Sequence, residues 1–291
     1  MMNEKMNFGK LPDEVEMYID EIAEKMKLGK AVVMVGAGFS KNAKQVRYTT
    51  KKFLQWNELG DIFYKKIYGK KPSEEKKPTY YHNVMKLASM VEECFGRSVL
   101  NDILLSSLPD EEYEPGILHK KLLQLNWADI FTTNYDTLLE RTRKYVYNRR
   151  YKVILTKEDL VYTKGPRIIK LHGSFPSTKP FVITEEDYQR YPRESSVFVN
   201  TVKQDLIENL MCMVGFSGDD PNFLNWIDWI RENLGKSVSS KIYLIGVFNP
   251  SPAELTLLNS RNIIMVNLKE CVKEKDYEGG LTLFFDELLR R

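Results

Sequence analysis

The chain has 291 residues, of which 43% are hydrophobic and 29% charged, enough for one large α/β domain with an ample core. Its 43 basic and 40 acidic residues leave a net charge of +3, which gives no general affinity for polyanions. No apolar run approaches the roughly 20 residues that cross a bilayer, and the N-terminal MMNEKMNFGKLPDEVEMYIDE lacks the apolar segment of a signal peptide. The expected compartment is therefore the cytoplasm.

Residues 13–28 place Val15, Ile19, Ile22, Ala23 and Met26 at helical spacing, and Leu28-Gly29 closes that helix. The apolar run Ala31–Val35 follows as a buried strand and stops abruptly in Gly36-Ala37-Gly38-Phe39-Ser40. A strand that ends in small residues lets another group approach its backbone closely, most often a phosphate. The third glycine of a dehydrogenase fingerprint is missing, since Lys41 stands there. Glu58, about 20 residues on, lies in a helical pattern, so hydride transfer is disfavoured.

The segments Phe53–Tyr68, Tyr80–Phe95, Arg97–Ser107 and Ile117–Leu125 read as successive helices, with the charged connector GKKPSEEKKPTYY (69–81) as a loop. Interleaved glutamates make that connector a solvated loop, and direct nucleic-acid binding is disfavoured. Strands are expected again at Asp129–Thr132, Lys152–Leu155, Ile168–Leu171, Met211–Val214, Lys241–Val247 and Ile263–Val266. Helices are expected between some of them, at Asp136–Val146, Ser195–Glu208 and Phe223–Leu234. This alternation predicts an α/β fold, a Rossmann-like doubly wound parallel sheet with an inserted all-helical module. The expected division is a core of 13–44 and 126–270, an insertion at 45–125, and a C-terminal helix at 271–291. That helix stops inside a good helical pattern, as if leading into a missing domain.

Ligands of open α/β sheets bind beyond the carboxyl ends of the strands, and polar or small residues collect there repeatedly. After Gly36–Ser40 comes FTTNYDTLLE (131–140), with Thr132, Thr133, Asn134 and Asp136 between a strand and a helix. A helix N-cap accounts for one of these polar residues and leaves the others unexplained. Next is IIKLHGSFP (168–176), where His172 sits at a strand end beside Gly173 and Ser174. Finally, CMVGFSGDDPNFLNW (212–226) ends a strand in Gly215-Phe216-Ser217-Gly218, with Asp220 as an expected N-cap and Pro221 at the first helical position. Cys94, Cys212 and Cys271 form no C-x-x-C pair, so neither a disulfide nor a four-thiolate zinc site is expected.

In this order, G-A-G-x-S, T-T-N-x-D, H-G and G-F-S resemble the sirtuin fold. The resemblance is closer to the divergent sirtuin-like, NAD-consuming domains of bacterial anti-phage defence than to protein deacylases. GFSGDDPNFLNWIDWIRENLG and Trp56-Asn57-Glu58-Leu59 carry it furthest, and it covers roughly residues 15–270. It implies NAD⁺ as substrate, cleaved at the nicotinamide–ribose bond, with no zinc and no other metal. It further implies that Gly36, Ala37, Gly38 and Ser40 line the pyrophosphate and ribose, with Phe39 and Thr133 also among the cofactor-binding residues. Gly215, Phe216 and Ser217 would hold the adenosine half, with Asn249 as a further contact. Asn134, His172 and Asp136 match the catalytic positions.

The chemistry fits these residue types on its own terms. Cationic nicotinamide leaves without a general acid, and the ribosyl cation that develops needs positioning and electrostatic support. Asn134 can hold a water or hydroxyl beneath the anomeric carbon, and His172 is the expected base. Asp136 either stabilises positive charge or orients Asn134. Both the turn KNAKQVRYTTKKF and the lack of paired cysteines depart from the deacylase pattern, so a peptide substrate is disfavoured. Transfer of ADP-ribose, its cyclisation, or a non-catalytic nucleotide-sensing module remain alternatives. An NAD-depleting effector needs restraint, so a homo-oligomer, a regulatory partner or a missing C-terminal domain is expected, with no membrane association.

Overall fold

The computed structural model describes residues 11–77, 83–176, 181–216, 220–234 and 241–291. Its organising element is a parallel sheet of seven strands in the order β5-β6-β4-β1-β7-β8-β9. These are β1 (Ala31–Val35), β4 (Asp129–Thr132), β5 (Lys152–Ile154), β6 (Arg167–Lys170), β7 (Leu210–Val214), β8 (Ile242–Gly246) and β9 (Ile263–Asn267). The two remaining strands, β2 (Lys44–Gln45) and β3 (Tyr113–Glu114), make a separate antiparallel pair that the sequence pattern did not announce. Every residue of β1, β4 and β7 is buried, as expected of parallel strands covered on both faces.

The order in which strands are added to the sheet reverses at β1. It pairs with β4 on one side and with β7 on the other, with Val35 opposite Thr132 in one register and opposite Val214 in the other. β4 and β6 pair with Thr132 opposite Lys170. The carboxyl ends of these four central strands therefore lie side by side at the topological switch point, where open α/β sheets bind ligands.

One layer packs helices α1 (Asp13–Lys27), α6 (Ile117–Gln124) and α13 (Tyr277–Arg290) on the sheet through Ile19, Ile22, Leu122, Phe284 and Phe285. The other face is covered by α10 (Ser196–Glu208) and α11 (Pro221–Leu234) through Phe198, Val202, Phe223 and Trp226. The last of the four helices expected between 53 and 125 thus packs with the sheet layer. The others, α3 (Trp56–Tyr68), α4 (Val84–Phe95) and α5 (Arg97–Ser107), share their own core of Phe63, Leu87, Val91, Leu100 and Leu104, which also takes in Phe181 and Ile183.

Three local differences from the expected elements have identifiable causes. The helix expected from Asp136 begins at Leu138 because the Asp136 carboxylate accepts the Leu138 N–H, and it tightens into a 3₁₀ turn at Arg143. The helix expected from Phe53 begins at Trp56, where the Glu58 carboxylate returns to the Gln55 N–H. An unforeseen helix, α9 (Glu185–Glu194), starts at a Thr184–Asp187 capping box and tolerates Pro192 close to its end. The helix after the first glycine loop, α2 (Ala37–Ser40), is a single turn, so its dipole adds little to anion attraction.

Candidate active site

The two glycine loops lean on each other. Gly36 N–H donates to Val214 O at 3.0 Å, and Gly38 N–H donates to Gly215 O at 2.9 Å. A Cβ on Gly36 would stand 2.4 Å from Gly215 O, and one on Gly215 would stand 2.2 Å from Phe39 N. Gly215 also has φ +60°, a conformation that glycine adopts without steric cost. The small residues therefore serve a backbone–backbone contact between β1 and β7. The N–H groups of Gly36, Gly38 and Phe39 are already committed within the protein, the last to Gly36 O. Ala37 is exposed at the tip of the loop, while Phe39 turns its ring into the core against His119 and Phe285.

Beyond β4 the chain builds a buried polar chain. Thr132 Oγ1 donates to Val35 O at 2.8 Å and accepts from Asn134 N–H at 3.1 Å. Asn134 Nδ2 donates to Gly36 O and to Ser40 Oγ, each at 3.0 Å. The Ser40 hydroxyl in turn donates to Asp136 Oδ2 at 2.7 Å. Asn134 is 8% exposed and its Oδ1 is buried with no hydrogen-bond partner. An orphaned acceptor held by a fully bonded amide nitrogen is what a site for a hydroxyl or water requires. Thr133 is half-buried beside it.

The Asp136 carboxylate is fully engaged, by Ser40 at one oxygen and by Leu138 N–H at the other. Burial pushes its carboxyl up, against the opposing pull of Lys170 and Ser40. Lys170, missed from the sequence, is buried at the end of β6. It donates to the Asp136 carbonyl and pairs with Glu140 at 2.9 Å, and Glu140 also accepts from Ser174 Oγ at 3.1 Å. A lysine closing the apolar run Ile168-Ile169 was the available signal, because a charge in a strand covered on both faces must find a partner.

His172 is 2% exposed. The register that sets Thr132 opposite Lys170 puts Asn134 and His172 each two residues past the same rung of adjacent strands. The His172 ring meets the edges of Tyr188 and Tyr191 of α9 at 5.4 Å, and its Nε2 lies 3.3 Å from Asn222 Nδ2. Burial pushes the imidazole down, against the pull of Asp220 and Asp187, so His172 is neutral at pH 7 and able to accept a proton. Asp220 caps α11 by accepting Asn222 and Phe223 N–H groups, as expected, and also accepts the Tyr188 hydroxyl.

Phe216 is half-buried and packs edge-on to Phe223, while Ser217 lies outside the described residues. Asn249 is exposed and accepts from Lys269 Nζ at 2.9 Å. The three cysteines are free, and no metal-binding group of His, Cys, Asp or Glu is present among the described residues. No helix there is long and apolar enough to cross a membrane.

Residues 128–266 match the family model of a SIR2-like domain. The chain is 26% identical over 277 residues to defense-associated sirtuin 2 of Bacillus subtilis, covering 92% of this chain and 26% of that protein. It is 30% identical over 230 residues to the NAD(+) hydrolase ThsA of Enterococcus faecium, covering 75% of this chain and 44% of that protein. The chain thus spans less than half the length of these curated relatives. A crystal structure of a Sir2 homologue–NAD complex overlays with a TM-score of 0.42 at 16% identity, covering 97% of this chain and 96% of that one. With its strand-end motifs converging at the switch point of a parallel sheet, the chain is similar over residues 128–266 to SIR2-like domains.

Proposed function

We propose that this chain is an NAD⁺ glycohydrolase that releases nicotinamide and ADP-ribose, acting as an NAD-depleting effector in anti-phage defence. The observation that carries the reading is the buried, unpartnered Oδ1 of Asn134, held in place at the switch point at the same level as neutral His172 on the adjacent strand. Relatives named NAD(+) hydrolase ThsA, at 24–30% identity, and a defense-associated sirtuin support the same reading.

In this mechanism nicotinamide departs as a neutral molecule, and the ribosyl cation is met by water. Asn134 Oδ1 accepts a hydrogen bond from that water or from a ribose hydroxyl, fixing it against the anomeric carbon. His172 accepts the proton, directly or through the hydroxyl. NAD⁺ and water thus give nicotinamide, ADP-ribose and a proton. Since both oxygens of Asp136 are occupied, its part is to orient Asn134 through Ser40. The loops Gly36–Ser40 and Gly215–Phe216 form the floor on which the nucleotide lies.

Product analysis of NAD⁺ incubated with purified protein, beside Asn134→Ala and His172→Ala, tests this. Nicotinamide and ADP-ribose from the wild type alone support hydrolysis and both assignments. A cyclic product or ADP-ribosylated protein would move the reading to transfer, and intact NAD⁺ would mean either a missing activator or, where it is bound tightly by the assembled protein too, a sensing module. An effector of this kind must be held inactive in the cytoplasm of healthy cells, so turnover depends on self-assembly, on a regulatory partner or on a further domain. A monomer with full steady-state turnover would refute that restraint.

A further inference from the structure

Helix α11 begins by bringing one side chain to His172 that the reaction so far leaves without a task. Asn222 is 1% exposed, and its carboxamide is the polar side-chain group hydrogen-bonded to the His172 ring among the described residues. Its backbone is fixed by the Asp220 carboxylate, which accepts Asn222 N–H at 2.9 Å and the Tyr188 hydroxyl at 3.2 Å. Tyr188 in turn braces the ring edge-on. Asn222, Asp220, Tyr188 and Tyr191 thus enclose the imidazole from two helices.

A carboxamide beside a neutral imidazole can bond it in two ways. With nitrogen toward Nε2 it donates to that lone pair, the ring proton sits on Nδ1, and no lone pair is left for a substrate. With oxygen toward Nε2 it accepts from Nε2–H, and the free lone pair belongs to Nδ1. The two orientations have the same shape, and both satisfy the 3.3 Å contact. Only the second leaves a base, and it keeps its hydrogen bond unchanged once the imidazole takes up a proton on Nδ1.

We infer that Asn222 is a positioning residue that holds His172 in its Nε2–H tautomer through the carboxamide oxygen, leaving Nδ1 to accept the proton of the attacking water or hydroxyl. This rests on His172 being the base. The balance is simple: the proton moves from oxygen to Nδ1 and later to solvent. The charged and titratable groups facing the ring are Asp187 and Tyr188 and Tyr191 of α9, and Asp220 at the start of α11.

Because the chain has three histidines, nitrogen NMR of the full chain labelled only at histidine reads the tautomer directly. His119, buried against Phe39, reports on folding in the same spectrum. The wild type is expected to show a single neutral His172 form protonated at Nε2. Asn222→Leu is expected to give a mixture of tautomers with the His119 signals unmoved, and to lower kcat by about 10–100-fold, short of the whole contribution of a general base, with little change in KM. Asn222→Asp keeps the acceptor and adds a charge, so Nε2–H persists and the acid limb of the rate profile moves to higher pH. A wild-type ring protonated at Nδ1, or His172 signals unchanged in Asn222→Leu, would overturn the assignment. These spectra do not depend on turnover, so an assembled wild type that binds NAD⁺ and leaves it intact would defeat the hydrolase reading while leaving the Asn222 assignment to be decided on its own.

Discussion

Ser40 donates its hydroxyl proton to Asp136 Oδ2 at 2.7 Å, and the two residues, 96 positions apart, are both buried. The Ser40 Oγ also accepts from Asn134 Nδ2 at 3.0 Å. The serine of the first glycine loop is therefore a link between two residues of the loop that follows β4. Ser40→Ala removes one bond from Asn134 and leaves the Asp136 oxygen without its donor. A loss of about 1–3 kcal/mol in stability is expected in denaturant titrations. Turnover is expected to fall more than nucleotide affinity, because the carboxamide keeps only its Gly36 anchor. Equal losses in affinity and turnover would mean that Ser40 contacts the nucleotide instead.

The contact between the glycine loops makes a sharper stability prediction. Gly215→Ala puts a methyl group 2.2 Å from the Phe39 nitrogen in a residue with φ +60°. Gly29→Ala has the same backbone problem, φ +68°, with open space around it. The second variant is expected to lose about 1 kcal/mol. The first must separate β1 and β7 at their ends, so it loses several-fold more in thermal unfolding and also weakens NAD⁺ binding in calorimetry. Equal destabilisation of the two variants would show that the loops separate freely.

How much of this was legible in the sequence depended on whether the physical constraint was local. Strands such as Ala31–Val35 are readable because burial on both faces leaves a continuous apolar run, and the shorter apolar pairs Ile130-Phe131 and Ile168-Ile169 continue the alternation. The strand-end positions of Asn134 and His172 followed from that. Lys170 was obscured because its partner, Glu140, is 30 residues distant and only the fold joins them. Asn222 carries no signal of its own in the sequence, lying in the helix start that Asp220 caps; its contact with the imidazole requires His172 to arrive from another strand. The helix Glu185–Glu194 went unread because Pro192 masks a pattern whose start is well capped. The glycines mark close-approach positions of the backbone. What approaches most closely is the other loop.

The Lys170–Glu140 pair tests whether the floor of the site depends on a buried charge. The lysine side chain is 1% exposed and the glutamate 14%. Lys170→Met alone leaves Glu140 buried without its cation and is expected to cost about 3–5 kcal/mol. Adding Glu140→Gln removes the stranded charge and is expected to recover much of that loss. Activity is expected to recover less, because the lysine also holds the Asp136 carbonyl. Additive losses in the double variant, followed by chemical unfolding, would contradict a coupled pair.

Acid is expected to destabilise the fold through two buried imidazoles. Burial, with Arg141 nearby, pushes His119 down to about 3 from an ordinary 6.5, and burial also pushes His172 down. Between the folded and unfolded values, the unfolded chain binds protons that the folded one does not, so stability falls as pH drops below about 6.5. Asp136 runs the other way over its own window above about 3.8. Its raised carboxyl favours the folded state when protonated, so stability there falls as pH rises. For His119 alone, acidification from pH 7 to pH 5 is worth about 2 kcal/mol. Urea midpoints of the wild type are therefore expected to drop across that interval, and those of His119→Phe to drop less, since phenylalanine keeps the ring against Phe39 without a proton to bind. Parallel midpoints for the two proteins would mean that His119 is not the residue that carries the acid sensitivity.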